Sequence, residues 1–195
     1  MKKKNICLLI ICSIILLMNA CTMPQTKIYS INMNYPFTEK DFKGKFSEKL
    51  VMIVVNAPRH LSQPYIVYRT SPYEMEISKY SKWEASPQEI IKKVMKDYIS
   101  SLKIFKEVKT SYTSQEGYYT LEIDLKRFER FDSENISYGE LLFDYVLISP
   151  EGNEIERSRI NKKIELQEKS FLSLAKILSN ALHEACVETG DKLSK

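Results

Sequence analysis

The chain has 195 residues, 44% hydrophobic and 28% charged, which is enough apolar material for one domain with a buried core and requires no second. Lysine and arginine number 29 against 25 acids, and the net charge of +4 falls to about +1 once Lys2, Lys3 and Lys4 are set aside as part of an export signal. So balanced a body argues against nucleic acid as a partner, because a basic face is the footprint such binding needs.

The first 20 residues read as that signal. Three lysines, an apolar run from Ile6 to Met18 and the small Ala20 directly before Cys21 follow the order of a cleavable leader. The run is too short to span a bilayer, which takes about 20 apolar residues. Leu17-Met18-Asn19-Ala20-Cys21 resembles the lipobox of bacterial lipoproteins, although Met18 and Asn19 depart from the usual residues. That resemblance implies cleavage between Ala20 and Cys21, a diacylglycerol on the Cys21 thiol and an acyl chain on its new amino group. No other cofactor is expected. Each buried methylene contributes ~0.8 kcal/mol, so two or three chains hold a protein durably on a membrane where one does not. The competing reading is an ordinary secretory signal with a chance cysteine.

Of the four cysteines, Cys7 and Cys12 belong to the signal and Cys21 to the anchor, which leaves Cys186 alone in the body and no intrachain disulfide to form. Cys186 falls in line with Leu178 and Leu182 at helical spacing and reads as a small core residue. The alternative for a lone exported thiol is an intermolecular bridge or a reactive group.

Residues 21–26, with Pro24, form a lipidated tether, and 27–192 a single domain. Lys27 to Met33 alternates as a strand, with Ile28 and Tyr29 available for a core, and Asn34 to Glu48 reads as a loop. Leu50 to Val55 is a continuous apolar run ended by Pro58, the pattern of a strand buried on both faces at the centre of a sheet. Alternating segments on either side of Ser71-Pro72 predict a hairpin. Ser86-Pro87-Gln88-Glu89 opens a helix as N-cap, first helical proline and capping-box acid. Its apolar stripe runs from Ile90 to Leu102, with Lys92, Lys93, Lys96 and Asp97 on the wet side.

Tyr119 to Lys126 alternates as a half-buried strand, and the slip in phase at Phe128 and Phe131 predicts a bulge or an end near Arg127. Leu141 to Ile148 and Glu154 to Leu166 flank Pro150-Glu151-Gly152-Asn153 as an antiparallel pair. A last helix is predicted from Ser170 to Thr189, stopped by Gly190. The fold expected is α+β, a mixed, largely antiparallel sheet with two helices packed on one face.

At Ala57 to Arg69, and again at Lys82 to Pro87, the chain resembles the ABC-type transport auxiliary lipoprotein family, to which the paraquat-inducible protein C lipoproteins belong. Pro58, Leu61, Pro64, Ile66, Val67, Arg69, Trp83 and Pro87 fall in that family's order, while Ala57, His60, Ser62-Gln63 and Tyr65 depart from it. The resemblance implies a fold similar to the amino-terminal domain of the Tol system's propeller protein. It also implies an accessory role in an ABC transporter with mammalian-cell-entry (MCE) subunits that moves lipids between membranes. An MCE-domain or permease subunit is then the expected partner, alongside the membrane itself, with self-association left open. Thr22, where an Asp would retain a lipoprotein at the inner membrane, implies the outer membrane, periplasmic face. The competing class is an envelope assembly lipoprotein that activates a cell-wall synthase or joins a Tol-like complex.

Five residues are candidates for partner or lipid contact: Arg59, Tyr65, Tyr68, Arg69 and Trp83. Arg59 and Arg69 suit phosphates or carboxylates, or else a solvated face. Trp83 suits an interface on a loop, or else seals the sheet edge against the first helix. Tyr65, Tyr68, Tyr73 and Tyr80 crowd one hairpin, and alternation would send half of them into the core. His60 and His183 have no second ligand at metal spacing, so neither is expected to hold a metal. With five glycines and no Gly-rich phosphate loop, Gly-x-Ser-x-Gly elbow or Cys-x-x-Cys, nothing in the sequence supports an enzyme.

Overall fold

The computed structural model describes residues 24–33 and 46–194; the signal, the Ala20-Cys21 junction and most of the loop expected before Glu48 lie outside them. Its elements in chain order are β1 (Lys27–Tyr29), β2 (Leu50–Asn56), β3 (Tyr65–Ser71), β4 (Glu74–Trp83), α1 (Pro87–Ser101), β5 (Glu107–Ser111), β6 (Tyr119–Ser133), β7 (Ile136–Ile148), β8 (Glu154–Glu165) and α2 (Phe171–Leu193).

β6 is the spine of the eight-stranded sheet. Along one side it pairs antiparallel with β7 over its whole length, and β7 pairs in turn with β8. Its other side is shared: residues 119–124 pair parallel with β2, and residues 129–131 pair parallel with β3. The change of partner falls around a register shift between Leu125 and Arg127. The slip in the apolar pattern is therefore a bulge, and the strand continues beyond it because Phe128 returns to the core face. β5 extends the sheet beyond β2, while β4 and then β1 extend it beyond β3. The two longest pairings, β6–β7 and β7–β8, are antiparallel, and parallel and antiparallel pairings mix among the shorter ones, which is the mixed α+β architecture predicted.

β2 is buried on both faces as its apolar run demands, with Val51 and Ile53 turned into the helix-side core and Met52 and Val54 covered on the other. α1 starts as its sequence dictates: the Ser86 hydroxyl accepts from the Glu89 amide at 3.3 Å, and Pro87 occupies the first turn. The Glu89 carboxylate turns to Lys92 Nζ at 2.6 Å. Lys92 is thereby a correction. It is buried, its ammonium 4.1 Å from the centre of the Tyr112 ring, because it borders the apolar stripe and its stem is covered from outside the helix.

Ile91, Met95 and Ile99 of α1 meet Leu178, Leu182 and Cys186 of α2 over the sheet. Cys186 is fully buried with Sγ 3.5 Å from Met95 Sδ, a core residue whose thiol burial pushes up out of reach of ordinary ionisation. Gly190 does not stop α2, which runs on to Leu193. It marks instead where the two helices pass closest, for a Cβ there would stand 2.5 Å from Leu102 Cδ1 and 2.8 Å from Tyr98 Cε1. Gly190→Val is expected to cost about 2–3 kcal/mol by forcing that crossing apart, measurable by urea denaturation.

Three further expectations change. β1 ends at Tyr29, and Ile28, at 62% exposure, points away from the core that Tyr29 joins. β5 has no apolar pattern to announce it; only Val108 packs on the core, and its pairing with β2 makes it a strand. The hairpin tyrosines also stay outside. Tyr65, Tyr73 and Tyr80 are 41%, 97% and 46% exposed, and Ile66 and Val67 supply the hairpin's buried side chains.

Candidate functional site

The β3–β4 hairpin presents two unlike faces. The pairing Tyr68↔Arg130 between β3 and β6 puts those two side chains on the helix side, next to the start of α2. Arg130 is buried there between two rings, its guanidinium carbon 5.1 Å from the centre of Tyr68 and 4.8 Å from that of Phe171. Asp132 holds it from within the same strand: Arg130 Nη2 donates to Oδ2 at 3.0 Å, and Nε lies 2.9 Å from Oδ1. Ser137 Oγ donates to Asp132 Oδ1 at 2.7 Å, and Lys169 Nζ stands 3.2 Å from Oδ2.

Burial alone would raise the Asp132 carboxyl, but the bonds from Ser137, Arg130 and Lys169 outweigh it and hold the group below the usual carboxylate range. The Tyr68 hydroxyl donates to Glu76 Oε2 at 2.7 Å, and that bond is the main reason its ionisation is pushed up. Tyr68, Arg130, Asp132 and Phe171 wall an open cleft of about 610 Å³ together with Lys79 and Tyr80, and Ile77 of β4 borders it. Aromatic faces and fixed charges of both signs suit it to a polypeptide segment more than to a reaction.

On the opposite face Arg69 Nε donates to Glu129 Oε1 at 2.7 Å. The Glu129 side chain is completely buried, and that burial pushes its carboxyl up against the pull of Arg69 and Arg127. His60, on the loop before β3, is lowered by burial and by the charge of Arg69. Farther along the same face the sheet is tied by ion pairs. Asp144 bonds Arg159 and Lys126, which hold its carboxyl far below the usual range, and Glu140 pairs with Arg127 at 2.6 Å and Lys163 at 3.0 Å.

The model for ABC-type transport auxiliary lipoprotein components matches residues 44–188. The chain belongs to that family. No curated protein matches it at a significant level. This family member is similar in fold to protein XCC0632 from Xanthomonas campestris (TM-score 0.71, 16% identity, covering 86% of this chain and 95% of that one). It is also similar to an uncharacterised crystal structure (TM-score 0.65, 13% identity, 87% and 99% covered). A structure named as a neuraminyllactose-binding hemagglutinin homolog from Helicobacter pylori shares the fold more distantly (TM-score 0.50, 17% identity, 85% and 92% covered). At such identities the likeness shows the fold alone.

Within this auxiliary lipoprotein the five candidates separate. Tyr65 and Arg59 are exposed, Tyr68 lines the cleft, and Arg69 is occupied by Glu129. Trp83 is a correction: it is 1% exposed and cannot touch a partner. β4 carries it beyond the expected loop into register with Tyr29, and its ring meets Phe128 edge-on at 5.3 Å between centroids. Sequence reasoning missed Arg130 and Phe171 in the cleft, and Ile28, Met75 and Ile77 on the exposed face. The alternation of Met75 and Ile77 with Glu74 and Glu76 was visible, but nothing in one sequence says which face of such a strand will be covered. Among the described residues no helix is long and apolar enough to cross a membrane.

Proposed function

We propose that this auxiliary lipoprotein is exported, cleaved after Ala20, acylated on Cys21 and held through tether 21–26 on the periplasmic face of the outer membrane. There the body, residues 27–192, serves as a non-catalytic accessory of an ABC transporter with MCE-domain subunits that moves lipid across the envelope. The observation that carries this reading is the family match over residues 44–188. The arrangement of side chains supports it, since the charges of Asp132, Asp144, Glu129 and Glu140 are engaged in holding the sheet. The cleft beside Tyr68 and Phe171 then receives a segment of the MCE-domain or permease subunit.

Purifying the lipidated full chain after cross-linking, with identification of what accompanies it by mass spectrometry, tests the role. An MCE-domain, permease or ATPase subunit is the expected companion, and Tyr80→Glu, at an exposed position in the cleft, lowers its recovery about tenfold. Recovery of a cell-wall synthase in its place rejects the transport role. For the anchor, Cys21→Ser abolishes incorporation of labelled palmitate and moves the protein to the soluble fraction; undiminished label rejects the site.

A further inference from the structure

The strand register places a set of side chains on one surface. Ile28 of β1 lies opposite Lys82 of β4, and Lys82 lies opposite Tyr65 of β3; farther along the hairpin Val67 faces Ile77 and Arg69 faces Met75. Residues directly opposite in a sheet share a face, and this face is turned away from the helices, since Tyr29 and Trp83 occupy the other. Val67 is covered, but Ile28, Tyr65, Met75 and Ile77 are 62%, 41%, 40% and 42% exposed, and Tyr73 stands 97% exposed at the hairpin tip. A cluster of this kind marks a surface that something covers.

The length of chain before β1 indicates what. On the lipid-anchor reading, five residues lie between Cys21 and Lys27, six steps of chain with a contour of at most about 20 Å even when fully extended. β1 is the edge of the sheet, and β4 and β3 follow it at about 4.8 Å per strand, so the near end of the patch, at Ile28, Lys82 and Tyr65, lies within about 10 Å of where the tether enters, and Ile77 and Met75 continue it along β4 toward the hairpin tip. The chemistry of the patch agrees. Aliphatic side chains and tyrosines stand beside Lys82, which makes no ion pair among the described residues, and tyrosine with lysine is the composition that settles at a headgroup boundary. Beyond the patch, over β6, β7 and β8, the same side of the sheet is crossed by the Asp144 and Glu140 ion pairs, which separate the exposed Ile136 and Ile155 from one another.

We infer that the β1–β4–β3 face bearing Ile28, Tyr65, Met75 and Ile77 rests on the lipid surface that holds the anchor, so that the body lies against the membrane with its cleft turned to a partner. This rests on the lipid-anchor reading, and the test separates the two. The lipidated protein is reconstituted into phosphatidylethanolamine and phosphatidylglycerol vesicles carrying acyl-brominated lipid, with bimane on Ile77→Cys or, at a position with no packing role, Tyr73→Cys. Buried Cys186 and acylated Cys21 leave the new thiol as the reactive one.

With the label about 5–10 Å from the acyl boundary, its emission shifts to the blue and falls by about half relative to unbrominated vesicles, while bimane on Arg157→Cys of β8 is unchanged. If the protein floats with the vesicles and neither label 77 nor label 73 is quenched, the inference fails and the anchor stands; a blue shift without quenching is the same failure, with protein covering the face. If the protein does not float, the anchor reading fails and takes the inference with it.

Discussion

Trp83→Ala is expected to destabilise the protein by about 4 kcal/mol, read as a large fall in the urea midpoint. Trp83 is 1% exposed, and its ring joins the parallel β1–β4 pair to Phe128 on β6, so truncation opens a cavity where the sheet edge meets the spine. Its indole N–H has no hydrogen-bond partner among the described residues, so Trp83→Phe forfeits volume but no bond and costs about 1–2 kcal/mol. Because it is the only tryptophan, wild-type emission reports the same event, moving to longer wavelength as the edge opens. If Trp83→Ala instead leaves stability intact and abolishes partner recovery, its assignment to the core is wrong.

Arg69→Ala is expected to cost about 3 kcal/mol, most of it from leaving Glu129 charged and buried without its closest cation. The pH dependence identifies the mechanism. The Glu129 carboxyl is raised, so the folded state takes up a proton at higher pH than the unfolded chain does. Its charge therefore costs stability above the folded value, and that cost is relieved as pH falls toward the ordinary glutamate value of 4.5. The Arg69→Ala penalty should accordingly shrink as pH falls from neutral toward 4.5, and adding Glu129→Gln should recover most of it. Asp132 runs the other way: its carboxyl is lowered, so its contribution is present at neutral pH and is lost only in strong acid, below about pH 4. A penalty independent of pH would show that Arg69 acts through packing of its stem.

What the sequence disclosed and what it hid divide along the distance over which each structure is decided. α1 could be read, Lys92 apart, because Ser86, Pro87, Glu89 and the stripe from Ile90 to Leu102 specify it within a few turns. The bulge in β6 was visible for the same reason, as a local slip of period. β5 was not, because a polar edge strand exists only through the neighbour it pairs with. Gly190 misled because a glycine that ends a helix and one that lets another helix approach look identical in one dimension. In the site, the hairpin and its tyrosines were visible, but Arg69 finds Glu129 sixty residues away and Tyr68 finds Arg130 across a strand pairing. Ion-pair partners at that separation leave no periodic trace.

The division of β6 between two neighbours also sets the order in which the molecule can assemble. β2 and β3 share no hydrogen bonds with each other, and each takes half of one side of a strand on the order of 60–70 residues farther along the chain. Until that strand arrives, the first half of the polypeptide holds two small, unconnected patches of sheet, of which α1 covers one face of the β2–β5 pair. Contacts so distant in sequence place folding in milliseconds to seconds rather than microseconds, and make the meander from β6 to β8, whose pairings are all local, the part able to form first.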